Sequence, residues 1–218
     1  MIRQSKVPPR VAFFTWLASL GKILTTDNLR KRRVLVLDWC FMCKRCGESV
    51  DHLLLHCPIA RELWSLVFCL FGIHWVMPHI VLELFEAWQG KFVWHCNIDV
   101  WRLVPHCLIW CIWHERNVRS FEGCERSLLE IKSFFLHTLF EWSVVFSHFS
   151  CSSFPTFLDH CTFGSWFVPP LYIPNVLGLV PFLLLIIFLR YLSKKLELPF
   201  ISLKERLHPS SSFSHQSV

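Results

Sequence analysis

The spacing Cys40-x2-Cys43-x8-His52-x4-Cys57 carries the strongest chemical signal in the chain. Two thiols separated by two residues can grip one ion from a tight turn. A His and a Cys on a following helical segment can complete a tetrahedron. Zinc prefers four N/S donors in this geometry, and a closed set of four leaves no open position for catalysis. A site of this kind is structural. Its binding free energy acts as folding free energy, on the order of 10 kcal/mol in small zinc modules. Ligands at about 2.0–2.3 Å from one centre require donor atoms within about 4 Å of one another. Two neighbours compete for the site: His56 shares a helix face with His52, and Cys46 lies close to Cys43. Elsewhere, Cys107 and Cys111 sit four apart beside His106 and His114, but Trp110 and Trp113 share that stretch, which reads as packing. Cys69, Cys96, Cys124, Cys151 and Cys161 read as small hydrophobes.

Charge gives a second signal. Residues 1–33 hold eight Lys/Arg and one acid, while the remainder holds 14 basic and 15 acidic residues. The net charge of +6 is therefore a local patch. Such a patch suits a polyanion. Arg30, Lys31, Arg32, Arg33, Lys44 and Arg45 surround the Cys turn and are the candidate phosphate contacts. Binding through them would be salt-dependent and weak in sequence preference. Trp16 and Phe41 offer rings for base stacking, although both read first as core residues.

The elements that must position these residues are helical. Pro8-Pro9 opens a buried helix over Val11–Leu20. Thr25, Thr26 and Asp27 offer caps for a short helix from Asn28 to Arg33, on which Arg30 and Arg33 share a face. Val34–Leu37 reads as extended. Ser49 or Asp51 can cap a helix over His52–His56, and Pro58 opens the next, Ile59–Phe71. Further helices are expected around Val81–Trp88 and over Val100–Phe121, where Pro105 must bend or restart the chain. A last one, Glu125–Phe146, has a broad apolar face. No sustained period-2 alternation occurs, so the fold class is mainly α.

Composition narrows the classes. At 53% hydrophobic and 17% charged, the chain is too apolar for intrinsic disorder. Seven Gly leave little for a Gly-rich nucleotide loop. Eleven Cys is about 5%, below the level of a disulfide scaffold. The first residues, MIRQSKVPPR, lack the apolar run of a signal peptide, so the thiols are expected to be reduced. From His160 to Leu189 there is no Asp, Glu, Lys or Arg.

Several segments recur in a recognisable order: Lys6-Val7-Pro8-Pro9-Arg10 with Phe13-Phe14-Thr15-Trp16, then Gly21-Lys22-Ile23-Leu24-Thr25 and Asp27-Asn28-Leu29. Cys40-x2-Cys43, Glu48-Ser49-Val50-Asp51-His52-Leu53-Leu54, Cys57-Pro58 and Ala60-Arg61-Glu62-Leu63-Trp64 follow. Across about residues 6–90 the chain resembles the zinc-binding domain that follows the reverse transcriptase of plant LINE-type (non-LTR) retrotransposons. A looser similarity continues through Pro105-His106-Cys107 and Arg116-Asn117 to Phe121-Glu122. The resemblance implies one structural zinc on Cys40, Cys43, His52 and Cys57, with Cys46 where the family usually has another residue. It also implies RNA or DNA as a weakly held, non-specific partner.

The expected organisation is a small zinc-stapled helical module (6–90), a helical extension (91–150) and a degenerate, apolar tail (151–218). Reverse transcription needs clustered carboxylates for two metal ions. The chain has no Asp-Asp pair, and residues 147–218 contain only Asp159, Glu197 and Glu205. It reads as a retroelement fragment without a catalytic domain: no enzyme, and no small-molecule substrate. An alternative is a single-pass membrane protein. Leu171–Leu189 gives 19 uncharged residues, near the length of a span. Arg190, Lys194 and Lys195 would then keep the end of an anchor at 171–192 in the cytosol. That orientation places residues 1–165 in an oxidising space, away from nucleic acid, so the two readings conflict. The expected location is nucleus or cytoplasm if the chain is soluble, and a membrane if 171–192 inserts. A third reading is a relic with no selected function.

Overall fold

The computed structural model describes residues 7–90, 98–146 and 153–163, and among them every regular element is helical. The helices are α1 (Pro9–Ser19), α2 (Thr26–Lys31), α3 (Pro58–Phe71), α4 (Val81–Gly90), α5 (Ile98–Asn117), α6 (Leu128–Phe146) and α7 (Phe154–Phe163). Wider π-type turns occupy His52–His56 and Val118–Glu122. All described residues fall in one unit, Met1–Gly178. Among the described residues no helix is long and apolar enough to cross a membrane. The 171–192 segment lies outside the described residues, as does most of the expected 151–218 tail.

Helix α5 is the central post. Val104, Cys107, Leu108, Ile109, Cys111 and Ile112 are all buried. Against it, α1 sets Phe14 between Trp110 and Trp113, with ring centroids 5.5 Å from each. Trp88 of α4 stacks on Trp101 at 4.1 Å and meets Trp64 of α3 edge-on at 5.8 Å. On the other side α6 places the Phe135 carbonyl 4.0 Å from the Cys107 thiol. A capping box starts α6: Ser127 Oγ accepts the Glu130 N–H, and a Glu130 carboxylate oxygen accepts the Ser127 N–H at 2.7 Å.

Three expectations need correction. Pro105 does not restart the helix; α5 runs through it. A proline at 105 gives no N–H to the carbonyl of Trp101, one turn back. That carbonyl accepts the Trp88 indole N–H at 3.0 Å instead. Second, α1 is only half buried. Val11, Phe14, Thr15 and Ala18 face the core, while Phe13, Trp16 and Leu20 are exposed.

Third, α2 ends at Lys31, so Arg33 does not share a helical face with Arg30. Arg33 turns left-handed at φ 63°. Its N–H reaches the Arg30 carbonyl at 2.8 Å, and the Val34 N–H reaches that of Leu29 at 3.0 Å. This is a Schellman stop, with an arginine where glycine is usual. The helix begins earlier than expected, at Thr26, because Glu48 takes the Thr26 N–H at 3.3 Å.

Candidate metal centre

The Cys cluster is folded by its own backbone. The Cys40 N–H donates to the Cys46 carbonyl at 2.6 Å, and the Lys44 N–H donates to the Cys40 carbonyl at 2.8 Å. Lys44 turns left-handed at φ 56° to close the loop. Gly47 then passes Asp38 so closely that a Cβ there would lie 3.0 Å from a carboxylate oxygen. Past the loop, Ser49 Oγ accepts the His52 N–H at 3.1 Å, which starts the next turn.

That turn is π-type for a geometric reason. In an α-helix, five residues carry the chain about 140° past a full turn, which would point His52 and Cys57 apart. Here the Cys57 N–H closes on the His52 carbonyl, five residues back, at 2.5 Å. Cys57 then leaves extended, at φ −55° and ψ 136°, and Pro58 begins α3. The widened turn brings Cys57 round to the side of His52. Leu53, Leu54 and Leu55 anchor it from beneath, all fully buried.

Cys40, Cys43, His52 and Cys57 converge, with one donor atom from each lying within 4.8 Å of all the others. The Cys40 thiol is 4.0 Å from Cys57 Sγ, and Cys43 Sγ is 3.5 Å from His52 Nε2. The widest separation exceeds the expected span of about 4 Å, so the four must draw together slightly around an ion. An ideal tetrahedron with bonds of about 2.3 Å has edges near 3.8 Å, close to both printed pairs. Three soft thiols and one imidazole are a zinc donor set, and the residues therefore fit that metal. Zinc would act there as a cross-link between the Cys loop and the π turn.

The two rivals separate. His56 Nε2 is 2.9 Å from the His79 carbonyl, an engagement outside the cluster. Cys46 stays close: its sulfur is 3.4 Å from His52 Nε2 and 4.0 Å from Cys43 Sγ, on the exposed rim.

Without metal, the cluster holds protons. The Cys57 sulfur beside Cys40 and burial push the Cys40 thiol up to about 12. The neighbouring Cys40 thiol pulls Cys57 down. Contact with Cys40, reinforced by Cys43, raises His52 to about 9 against the opposing pull of burial. A metal must displace these protons, so its binding releases them to solvent.

Residues 1–64 match the family described as zinc-binding in reverse transcriptase. The match contains all four converging residues together with α1 and α2. It supports a reverse-transcriptase zinc-binding domain here, and it ends at Trp64 in α3, short of the 6–90 span read from sequence. No curated protein and no solved structure matches the chain.

The Cys/His segment is clamped to α5 by a buried ion pair that sequence reasoning missed. Glu48, fully buried, presents Oε1 to Arg116 Nη2 at 2.8 Å and to Arg116 Nε at 3.0 Å. Its Oε2 accepts the Phe41 N–H at 3.1 Å, inside the Cys loop. The Arg116 guanidinium also lies 4.8 Å from the Phe41 ring centroid, so that ring is covered rather than offered for base stacking. One turn on, Arg119 pairs with buried Glu115 at 2.8 Å and donates to the Met42 carbonyl at 3.0 Å. A sequence signal existed: Glu115 follows Cys111 and Ile112 by four and three residues, so a charge sits on the core face of α5.

The six candidate phosphate contacts are all exposed. Arg30 pairs with Asp38, Lys31 with Asp27 at 3.1 Å, and Lys44 with Glu125. Among the described residues no ion pair involves Arg32, Arg33 or Arg45. The sequence's basic patch is thus reduced to three uncompensated cations among these six.

Proposed function

We propose that the chain is a structural-zinc module that holds single-stranded nucleic acid through its backbone, derived from a plant LINE-type retrotransposon and without catalytic chemistry of its own. The observations that carry this are the convergence of Cys40, Cys43, His52 and Cys57 and the exposure of Arg32, Arg33 and Arg45. The family match over residues 1–64 supports the zinc assignment. The motif order and spacing across residues 6–90 support the retrotransposon origin. A four-ligand site leaves no open coordination position, which supports a structural role for the ion.

The test uses the full chain purified without added zinc. One zinc per chain is the expected metal content. Filter binding to single-stranded RNA and DNA at three salt concentrations reads the partner. About three phosphate contacts give a slope near −2 in log affinity against log salt, from roughly −0.7 per contact. Arg32→Gln with Arg33→Gln flattens that slope and leaves the metal content unchanged. A flat line for the parent chain refutes the nucleic-acid reading, and absent metal refutes the zinc reading. Template-dependent nucleotide incorporation would overturn the non-catalytic assignment.

A further inference from the structure

The cluster holds one sulfur more than zinc needs. Cys46 follows Cys43 in a Cys-Lys-Arg-Cys turn, and the two sulfurs are 4.0 Å apart. Cys46 is exposed and Cys43 half-buried, whereas Cys40 and Cys57 are fully buried. A dissolved oxidant therefore meets Cys46 first. The same sulfur lies 3.4 Å from His52 Nε2, so it stands against the very donor that would hold the ion. Closing the Cys43–Cys46 gap to a disulfide of about 2.05 Å requires a shift of about 2 Å, within a loop already bent around Lys44 at positive φ.

We propose that Cys46 is an oxidation site whose disulfide with Cys43 expels the metal. The inference rests on the zinc reading above. Hydrogen peroxide is the oxidant. The Cys46 thiolate attacks one peroxide oxygen; the O–O bond breaks, Cys46 becomes a sulfenic acid, and hydroxide leaves. The Cys43 thiolate then attacks the Cys46 sulfur; the S–S bond forms, the S–O bond breaks, and a second hydroxide leaves. Two thiolates have lost two electrons in all, and peroxide has become two hydroxides that take up protons as water. Cys43 is then no longer an anionic donor, and only Cys40, His52 and Cys57 would remain to hold an ion, too few for the closed set of four. The buried pair Cys40 and Cys57 is untouched, so reduction restores the site.

The experiment treats the zinc-loaded full chain with hydrogen peroxide and follows zinc release with a chromogenic chelator. Peptide mapping by mass spectrometry reads the linkage in parallel. The expected result is release of the zinc, with the 43–46 peptide lighter by two hydrogens, and recovery of binding after dithiothreitol. Cys46→Ser should bind the same zinc and lose most of the peroxide-driven release, while Cys124→Ser releases like the parent. Equal release rates for Cys46→Ser and the parent overturn the proposal. So does a disulfide joining any other pair. If the purified chain binds no zinc, the metal reading has failed, and the mapped linkage in the peroxide-treated, zinc-free chain still decides the pair: its absence overturns the Cys43–Cys46 assignment.

Discussion

Breaking the Glu48–Arg116 pair should cost more than any single surface change in this protein. Glu48 is fully buried and the Arg116 side chain is 3% exposed. Replacing Glu48 with Gln removes the counter-charge and leaves a buried guanidinium. The same change turns one acceptor oxygen into a donor, which faces either the Phe41 N–H or Arg116. Removing one partner of a buried pair costs about 3–5 kcal/mol. Arg116→Met should fall in the same range: it strands the carboxylate on the Thr26 and Phe41 N–H groups and loses the contact with the Phe41 ring. The double variant holds no stranded charge. It should cost about 3 kcal/mol, well below the sum of the singles, with a coupling of at least about 3 kcal/mol. Urea unfolding at saturating zinc and neutral pH measures all four corners of the cycle. Singles that add to within about 0.5 kcal/mol would refute the pairing argument.

Three further outcomes are expected. Arg33→Gly should stabilise the chain by about 1 kcal/mol, since the left-handed stop at φ 63° favours glycine; equal or lower stability in the same urea assay contradicts this. Burial holds His106 down at about 4, below its ordinary value near 6.5. Its folded form stays neutral while the unfolded form takes a proton, so the stability it permits above pH ~6.5 is lost as pH falls toward ~4. Between about pH 7.5 and 5 the parent should lose about 2 kcal/mol more than His106→Gln, and parallel curves would show that the imidazole is not buried neutral. Finally, Cys43→Ser should abolish zinc binding and unfold roughly residues 35–65, read by metal content and by amide exchange across the Cys loop; retained protection in the metal-free variant would show that the ion does not hold that segment.

Much of the helical order was legible because its signals are local. Pro8-Pro9, Pro58 and the apolar runs marked α1, α3, α5 and α6 within a few residues. A metal-type cluster around Cys40, Cys43, His52 and Cys57 was legible from spacing, since a tight turn and a short helical step impose that spacing, but the choice of these four over Cys46 and His56 came from the family resemblance. What escaped were features that depend on partners distant in sequence. The continuity of α5 through Pro105 depends on an indole from α4. The early start of α2 depends on the Glu48 carboxylate, 22 residues away. Trp16 looked like core because it sits in an apolar run, yet α1 turns the face that carries Phe13 and Trp16 to solvent. The Cys46 ambiguity was visible but not resolvable from spacing, because Cys40-x2-Cys43-x2-Cys46 offers two overlapping bites.

The buried ion pairs change how the metal segment must be understood. Zinc alone would tie Cys40 and Cys43 to the turn at His52 and Cys57, a span of 18 residues. Glu48 sits within that span, and its carboxylate binds backbone on both sides: Thr26 at the head of α2 and Phe41 in the Cys loop. Arg116 and Arg119 bring α5 and the turn beyond it to the same loop. An ionised carboxylate at full burial is tolerated only while these donors stay in place. They stay in place only while the Cys loop keeps its shape. Loss of the metal should therefore be felt beyond the 1–64 match, at α5 and at the Arg126–Glu115 contact, because the loop that zinc would hold is the loop that satisfies Glu48.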